Sequence, residues 1–476
     1  MSVSPQRFGR GSGIFRRKPV EDVSDESGGD LDRSLGLWQL TAIGVGGIIG
    51  AGIFALAGAV ANETAGPAVL FSFLIAGIAS AAAALSYAEF AGMIPRAGSA
   101  YTYGYVVLGE VVAWFIGWDL LLEYTAIVSV VAIGISGYFS FLMADLGVDL
   151  PVWMLGAPGS GDGHVVDLFA VVLCLLIAYL LNRGIRAAAR AETAVVILKV
   201  VIVLLVVVVG AFHITRSNYD PFFPFGWSGA ITGAATVFFA VFGYDAMSTA
   251  AEESKDARRH LPKAIIYSLV ISMVLYVLAT LVLTGMQNYR DIDPESGFSS
   301  AFASVGLSGL ADVIAVGAIV GILTVMFTFM LGVTRVWYSM SRDGLLPAWF
   351  GKLHPTRKVP SRVTWIAGVA SAVIAGFLPI REAAELTNIG ILLAFVVVCI
   401  AVIVLRYRRP DISRTFRLPW MPVIPAVGVV FSIWLITFLD PVTWVRFAVW
   451  FLLGLILYAV YGRHHSKLNR ESPARD

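Results

Sequence analysis

The chain reads as a series of continuous apolar runs, each about 20 residues long, joined by shorter polar connections. A run of that length crosses a hydrocarbon core of roughly 30 Å as a helix. Lipid offers no water to a bare N–H or C=O, so a spanning segment must be a helix or part of a closed barrel. The runs lack the period-two alternation of barrel strands, so helices are expected. Composition agrees: 58% of the 476 residues are hydrophobic and 14% charged, against about 25% charged in a water-soluble domain. The expected fold class is an all-α polytopic membrane protein.

Twelve transmembrane helices are expected, at 37–61, 65–93, 103–141, 165–182, 191–213, 228–251, 264–286, 299–334, 362–380, 384–406, 422–439 and 442–461. Residues 1–36 are polar, rich in Gly, Ser and Arg, and lack an apolar signal core, so a disordered tail is expected there. The rest divides into five spans over 37–213, five over 228–406, two over 422–461 and a second tail over 462–476. Spans three and eight exceed what a bilayer needs, so tilt or extension beyond it is expected. Of 34 Lys and Arg, 29 fall on the side of the N-terminus. Four fall opposite (Arg216, Arg290, Arg381 and Arg446), and Lys199 alone lies within a span. This bias places both termini in the cytoplasm, in a cell membrane. Three connections on that side are long: 94–102, read as a sharp turn; 335–361, read as holding a short helix ended by Gly344; and 407–421, basic and proline-containing.

Cys174 and Cys399 sit inside apolar runs with no CxxC, and the six histidines form no HExxH-like cluster. No metal, cofactor or nucleic-acid partner is expected.

Span one carries Gly44, Gly46, Gly47, Gly50, Gly52 and Gly58. Each glycine costs a helix interior about 1 kcal/mol relative to alanine. Clustered at membrane depth they permit an unwound stretch, provided it lines a cavity. The half-helix that follows presents bare N–H groups and a positive dipole end, which attract a carboxylate. The competing reading is close helix packing, since Gly46 and Gly50 form a GxxxG pair. Span six holds Phe238-Phe239-Ala240-Val241-Phe242-Gly243-Tyr244-Asp245. Free carbonyls at a break there could hold an ammonium group. Interrupted helices one and six are five spans apart, the placement produced by two five-helix repeats of inverted topology. Phe239 is the aromatic chosen to close over a bound substrate.

Lys199 lies about seven residues, roughly 10 Å, inside span five. A lysine at that depth can exchange a proton near neutral pH or occupy a cation's place; the alternative is snorkelling to the interface. Asp119 and Glu123 share one face of span three. Each is a candidate partner for Lys199 or reader of a cationic substrate side chain, with Glu123 the stronger; the alternative for Asp119 is a bond to a neighbouring helix. Asp245, Glu252 and Glu253 precede Lys255, Arg258 and Arg259, an interfacial cluster that could also gate. Glu89 and Glu192 read as structural.

Taken together, five segments resemble the amino acid–polyamine–organocation superfamily, specifically its cationic amino acid transporter branch. They are GVGGIIGAGIF (44–54), AALSYAEFAGMIPRAGSAYTY (83–103), GWDLLLEY (117–124), FFAVFGYDAMSTAAEESKDARRHLPKAI (238–265) and YSMSRDGLLP (338–347). The resemblance runs from Leu35 to the end of span twelve. It implies ten core helices in a 5+5 inverted repeat plus two peripheral helices, and proton-coupled or sodium-independent transport of L-amino acids. It implies that the substrate carboxylate meets backbone amides at Ile49, Gly50, Ala51 and Gly52. The amino group would meet carbonyls at Phe239, Ala240 and Phe242. The branch's lysine on helix five falls on Lys199 and its helix-three glutamate on Glu123. Ala51 stands where relatives often carry threonine, removing one side-chain hydrogen bond.

The expected function is secondary active transport by alternating access, of cationic or small neutral amino acids, with a proton as coupling ion and Lys199 as its site. A membrane-bound amino acid sensor without flux is the alternative. A membrane enzyme would need a convergent nucleophile and base at depth, and a channel a ring of like residues; neither pattern is present.

Overall fold

The computed structural model describes residues 16, 35–93, 99–183, 188–244, 254–354, 359–410 and 412–470. Among these, every regular element is helical, apart from two isolated bridges, Leu35–Ser254 and Leu155–Asp167. In chain order the main helices are α1 (Leu37–Ile48), α2 (Ala51–Phe54), α3 (Leu56–Val60), α4 (Val69–Met93), α5 (Ser99–Val107), α6 (Glu110–Asp145), α7 (Leu168–Arg183) and α8 (Ala188–Gly210). They continue as α9 (Gly226–Val237), α10 (Ala257–Met286), α11 (Gly297–Ser304), α12 (Ser308–Arg342), α13 (Ser361–Phe377), α14 (Ile380–Arg408), α15 (Val423–Ile436) and α16 (Pro441–Leu457). Among the described residues, eight helical stretches are long and apolar enough to cross a membrane, and four shorter ones are apolar. The chain is a multi-pass membrane protein.

Helix α6 is the hub, packed against α12, α14, α13 and α7, while α10 lies along α4 and α1. Outward faces stay apolar: Ile197, Val201, Leu204 and Val208 of α8, and Val445, Val449, Leu452 and Ile456 of α16, are all exposed. Contiguous apolar surface of this kind is what a hydrocarbon solvent requires and water does not tolerate.

Three boundaries differ from the sequence reading. The extra length of span three is a separate helix, α5, because Gly109 turns the chain at φ 110°. Span eight divides likewise at Gly306, φ 80°, into α11 and α12. The short helix expected before Gly344 is the end of α12 itself, which runs to Arg342 before Gly344 adopts φ 80°. Only glycine holds these left-handed conformations without strain. The turn expected at 94–102 falls partly outside the described residues; from Ser99 onward it is already α5.

The basic end of the bundle is tied by one carboxylate. Glu89 of α4, fully buried, accepts from Arg406, from Arg414 Nε at 3.1 Å and from the Leu418 N–H at 2.8 Å. It thereby joins α4 to the end of α14 and the connection beyond, a structural role as the sequence reading held. The opposite end is latched by Asn62, whose Nδ2 donates to the carbonyls of Tyr289, Arg290 and Ile292 at 3.0–3.2 Å.

Removing one member of a buried ion pair leaves the other charge stranded, at a cost of about 3–5 kcal/mol. Glu89→Ala is therefore expected to lower the thermal unfolding midpoint of the detergent-purified protein sharply, read by intrinsic tryptophan fluorescence. A midpoint equal to wild type would refute the tie.

Candidate functional site

The glycine-rich segment of span one is interrupted at Ile49 and Gly50. α1 stops at Ile48; Ile49 is extended (φ −72°, ψ 105°), Gly50 is non-helical (φ −162°, ψ −142°), and α2 restarts at Ala51. Helix α9 behaves likewise. It ends at Val237, tightens to a 3₁₀ turn over Phe238–Val241, then opens at Phe242 (ψ 166°) and Gly243 (φ 120°). Residues 245–253, with Asp245, Glu252 and Glu253, lie outside the described residues, as does the Glu192 side chain.

The two breaks meet. The Gly47 and Gly243 backbones touch, and a Cβ on Gly47 would lie 2.8 Å from the Gly243 carbonyl oxygen. A Cβ on Gly52 would collide with Ala240. Gly46 is packed on Val196 of α8 and Gly50 on Val325 of α12. Close packing and an unwound helix were rival readings of these glycines; both hold, each glycine meeting a different neighbour.

A helix that stops inside the bundle leaves its last carbonyls without intrahelical partners. At the end of α1, Lys199 Nζ donates to the Gly46 carbonyl at 2.8 Å and Tyr276 Oη to the Ile48 carbonyl at 2.7 Å. Lys199 is completely buried, so it is not snorkelling. Its side-chain nitrogen sits at the end of α1 where the helix dipole is negative. Tyr138 Oη of α6 serves the Phe54 carbonyl at 2.7 Å. At the end of α9, Asn388 Nδ2 donates to Ala235 at 2.8 Å and Thr236 at 2.7 Å, and Ser80 Oγ to Val241 at 3.0 Å. Behind this break Phe395 packs on Phe238, Phe242, Tyr244 and Tyr87, with ring centroids 5.5–5.9 Å apart.

Between the breaks lies a cavity of about 10 Å³ lined by Gly47, Ile48, Gly50, Ala51, Gly52, Phe239, Phe242, Val325 and Phe329. It has room for about one water molecule. Gly50, Ala51, Gly52, Phe239 and Phe242 of the sequence candidates line it. Ile49 is buried beside it, and Ala240 backs Gly52. Glu123 is buried on α6 and does not line the cavity; its neighbour Tyr124 packs edge-on against Phe329, centroids 5.2 Å apart. Asp119 abuts Gly390 of α14, but its Oδ1 makes no hydrogen bond there, so the bond to a neighbouring helix expected as its alternative role is not seen. Sequence reasoning missed Val325, Phe329, Tyr276 and Asn388. Only Asn388 carried a signal, as an amide inside an apolar run.

On the latched side, the Glu295 side chain lies against Gly137 of α6. Burial, then the charges of Asp167, Asp293 and Glu63, raises its carboxyl well above the ordinary range.

Two discontinuous helices facing each other across a closed cavity inside an apolar bundle define a membrane carrier. The chain belongs to the amino acid permease family, whose model matches residues 35–460. It is 45% identical over 460 residues to the methylthioribose transporter of Bacillus subtilis, covering 96% of this chain and 100% of the relative. It is also 45% identical to the branched-chain amino acid permease BcaP of the same organism, over 96% and 99% of the two chains. The cationic amino acid transporter 4, vacuolar, of Arabidopsis thaliana is 37% identical, over 84% of this chain and 68% of the relative.

The contact between Gly52 and Ala240 admits no side chain. Overpacking a tight site costs about 1–3 kcal/mol, here concentrated where the breaks meet. Gly52→Val is expected to give a folded protein whose melting point no longer rises with substrate; a retained substrate-induced shift would show the approach to be dispensable.

Proposed function

We propose that this protein is a secondary active transporter of neutral L-amino acids with apolar side chains, working by alternating access. The observation that carries the reading is the cavity between the two breaks. It is lined on one side by Gly50, Ala51 and Gly52, whose N–H groups open α2 and would meet a carboxylate, and on the other by Phe239 and Phe242, whose carbonyls, with that of Ala240, would meet an ammonium group. The rest of its lining, Val325, Phe329 and the Phe242 ring, is apolar and presents no charge to a substrate side chain. A cationic side chain would be desolvated there without a counter-ion, at a cost of several kcal/mol. This favours neutral over cationic substrates, and the likeness to the branched-chain permease points the same way.

The architecture we infer is twelve spans: a 5+5 inverted repeat with helices one and six broken, then two peripheral helices, with both termini in the cytoplasm of a cell. Matched bonding supports the repeat. The bond from span five to span one (Lys199 to Gly46) and that from span ten to span six (Asn388 to Ala235) each join residues 153 apart in sequence.

Proton coupling is assigned to Lys199. Its ammonium holds the end of α1 through the Gly46 carbonyl. Loss of the proton removes the charge that the helix dipole attracts and loosens α1, the element that must move for the cavity to open.

The likeness to a methylthioribose transporter supports a second reading, because it is equal in identity and complete in coverage. The test is uptake into proteoliposomes, with an acidic exterior, of leucine, alanine, lysine, arginine and methylthioribose. Concentrative leucine uptake is expected, with lysine and arginine excluded. Uptake of lysine equal to leucine would overturn the neutral assignment, uptake of methylthioribose alone would establish the second reading, and binding without flux would make the protein a sensor. In the same vesicles Lys199→Ala is expected to carry leucine downhill with no response to the proton gradient. Unchanged gradient dependence would remove Lys199 from the coupling.

A further inference from the structure

Asn388 lies on α14, fully buried, in an otherwise apolar stretch. Its Nδ2 spends both hydrogens on successive carbonyls, Ala235 and Thr236, at the end of α9, while its Oδ1 meets no donor. A buried amide oxygen left bare costs about 1–3 kcal/mol, so the side chain is held in place by what its nitrogen does. The carbonyls it holds lie one turn before the Phe239–Phe242 segment assigned to the substrate ammonium. On the other half of the bundle Lys199 does the same for α1, over the same 153-residue separation. Each break has a second tether as well: Tyr276 of α10 to Ile48, and Ser80 of α4 to Val241. The two tether pairs match, but one member is a titratable cation and its counterpart a permanently neutral amide.

We propose that Asn388 is a positioning residue for substrate, the uncharged counterpart of Lys199. It fixes the end of α9 so that the carbonyls beyond it converge on the ammonium group, and its neutrality confines proton sensitivity to the helix-one side. The inference rests on the amino acid transport reading above. It makes α14 part of the binding apparatus although no α14 residue lines the cavity.

The test replaces the amide by a group whose ability to donate depends on pH. In Asn388→Asp the ionised carboxylate faces two carbonyl oxygens and cannot hold them; the protonated acid donates to one. The titratable and charged side chains on the elements packed around α14 include Asp119, Glu123, Tyr124 and Tyr138 of α6, Tyr87 and Glu89 of α4, Tyr101 and Tyr105 of α5, Arg446 of α16, Tyr244 after the helix-six break, and Arg381, Glu382, Glu385, Cys399, Arg406 and Arg408 on α14 itself. All are present in wild type, so the readout is the ratio of variant to wild type at each pH. With purified full-length protein in proteoliposomes and leucine as probe, Asn388→Asp is expected to raise KM about tenfold at neutral pH. The maximal rate should be little changed, and KM should return toward wild type as the medium is acidified. Asn388→Gln, which keeps the donor on a longer arm, is expected to recover part of the affinity at every pH. Asn388→Asp with the wild-type KM throughout the pH range would overturn the proposal. So would a fall in maximal rate or yield alone with KM untouched, which marks a purely architectural side chain. Should wild type carry no leucine, the transport reading fails instead; should wild type carry it and the variants match, only this inference fails. If Asn388→Asp does not fold, the KM of Asn388→Gln against wild type decides alone, an unchanged value overturning the proposal.

Discussion

A helix that ends within a bilayer has carbonyl groups with nowhere to turn for a hydrogen bond, and everything distinctive about this bundle follows from that shortage. An interrupted span is possible only where other parts of the chain bring donors to the break. Here the donors are an ammonium, three hydroxyls and an amide, contributed by Lys199, Tyr276, Tyr138, Ser80 and Asn388. None belongs to the helix it serves. Each unwound segment is therefore held by its neighbours, and a shift of one core helix against another is transmitted directly to the backbone groups facing the cavity.

The glycines of span one serve both demands at once. Gly46, Gly47, Gly50 and Gly52 face Val196, Gly243, Val325 and Ala240 respectively. These contacts come from three separate pieces of chain, α8, α12 and the helix-six break, and enclose the interruption at Ile49 and Gly50. The glycines themselves carry no side chain to hold these neighbours off, so each approaches the backbone closely. The small cavity beside the interruption is walled on its other sides by Val325 and the rings of Phe239, Phe242 and Phe329.

Much of this was legible in the sequence, because membrane helices announce themselves by uninterrupted apolarity and their breaks by glycine. The interruption at Ile49 and Gly50, the second one near Phe242, and the depth of Lys199 could be read directly. What remained hidden were partners supplied from remote spans. Tyr276 lies 228 residues from the carbonyl it caps, and nothing in its surroundings distinguishes it from a packing tyrosine. Val325 and Phe329 are ordinary members of a long apolar helix until the fold turns them onto the cavity. Helix lengths misled where glycines divide them: Gly109 and Gly306 turn the chain through left-handed conformations that local composition does not reveal.

The Asn62 amide carries a consequence of its own. A single nitrogen is shared among three carbonyls of the loop between α10 and α11, so those contacts cannot be surrendered one at a time. Rotation of one side-chain torsion frees all three together. That end of the protein thus hangs three backbone carbonyls on one amide, so a single substitution there would strip all three of the same donor.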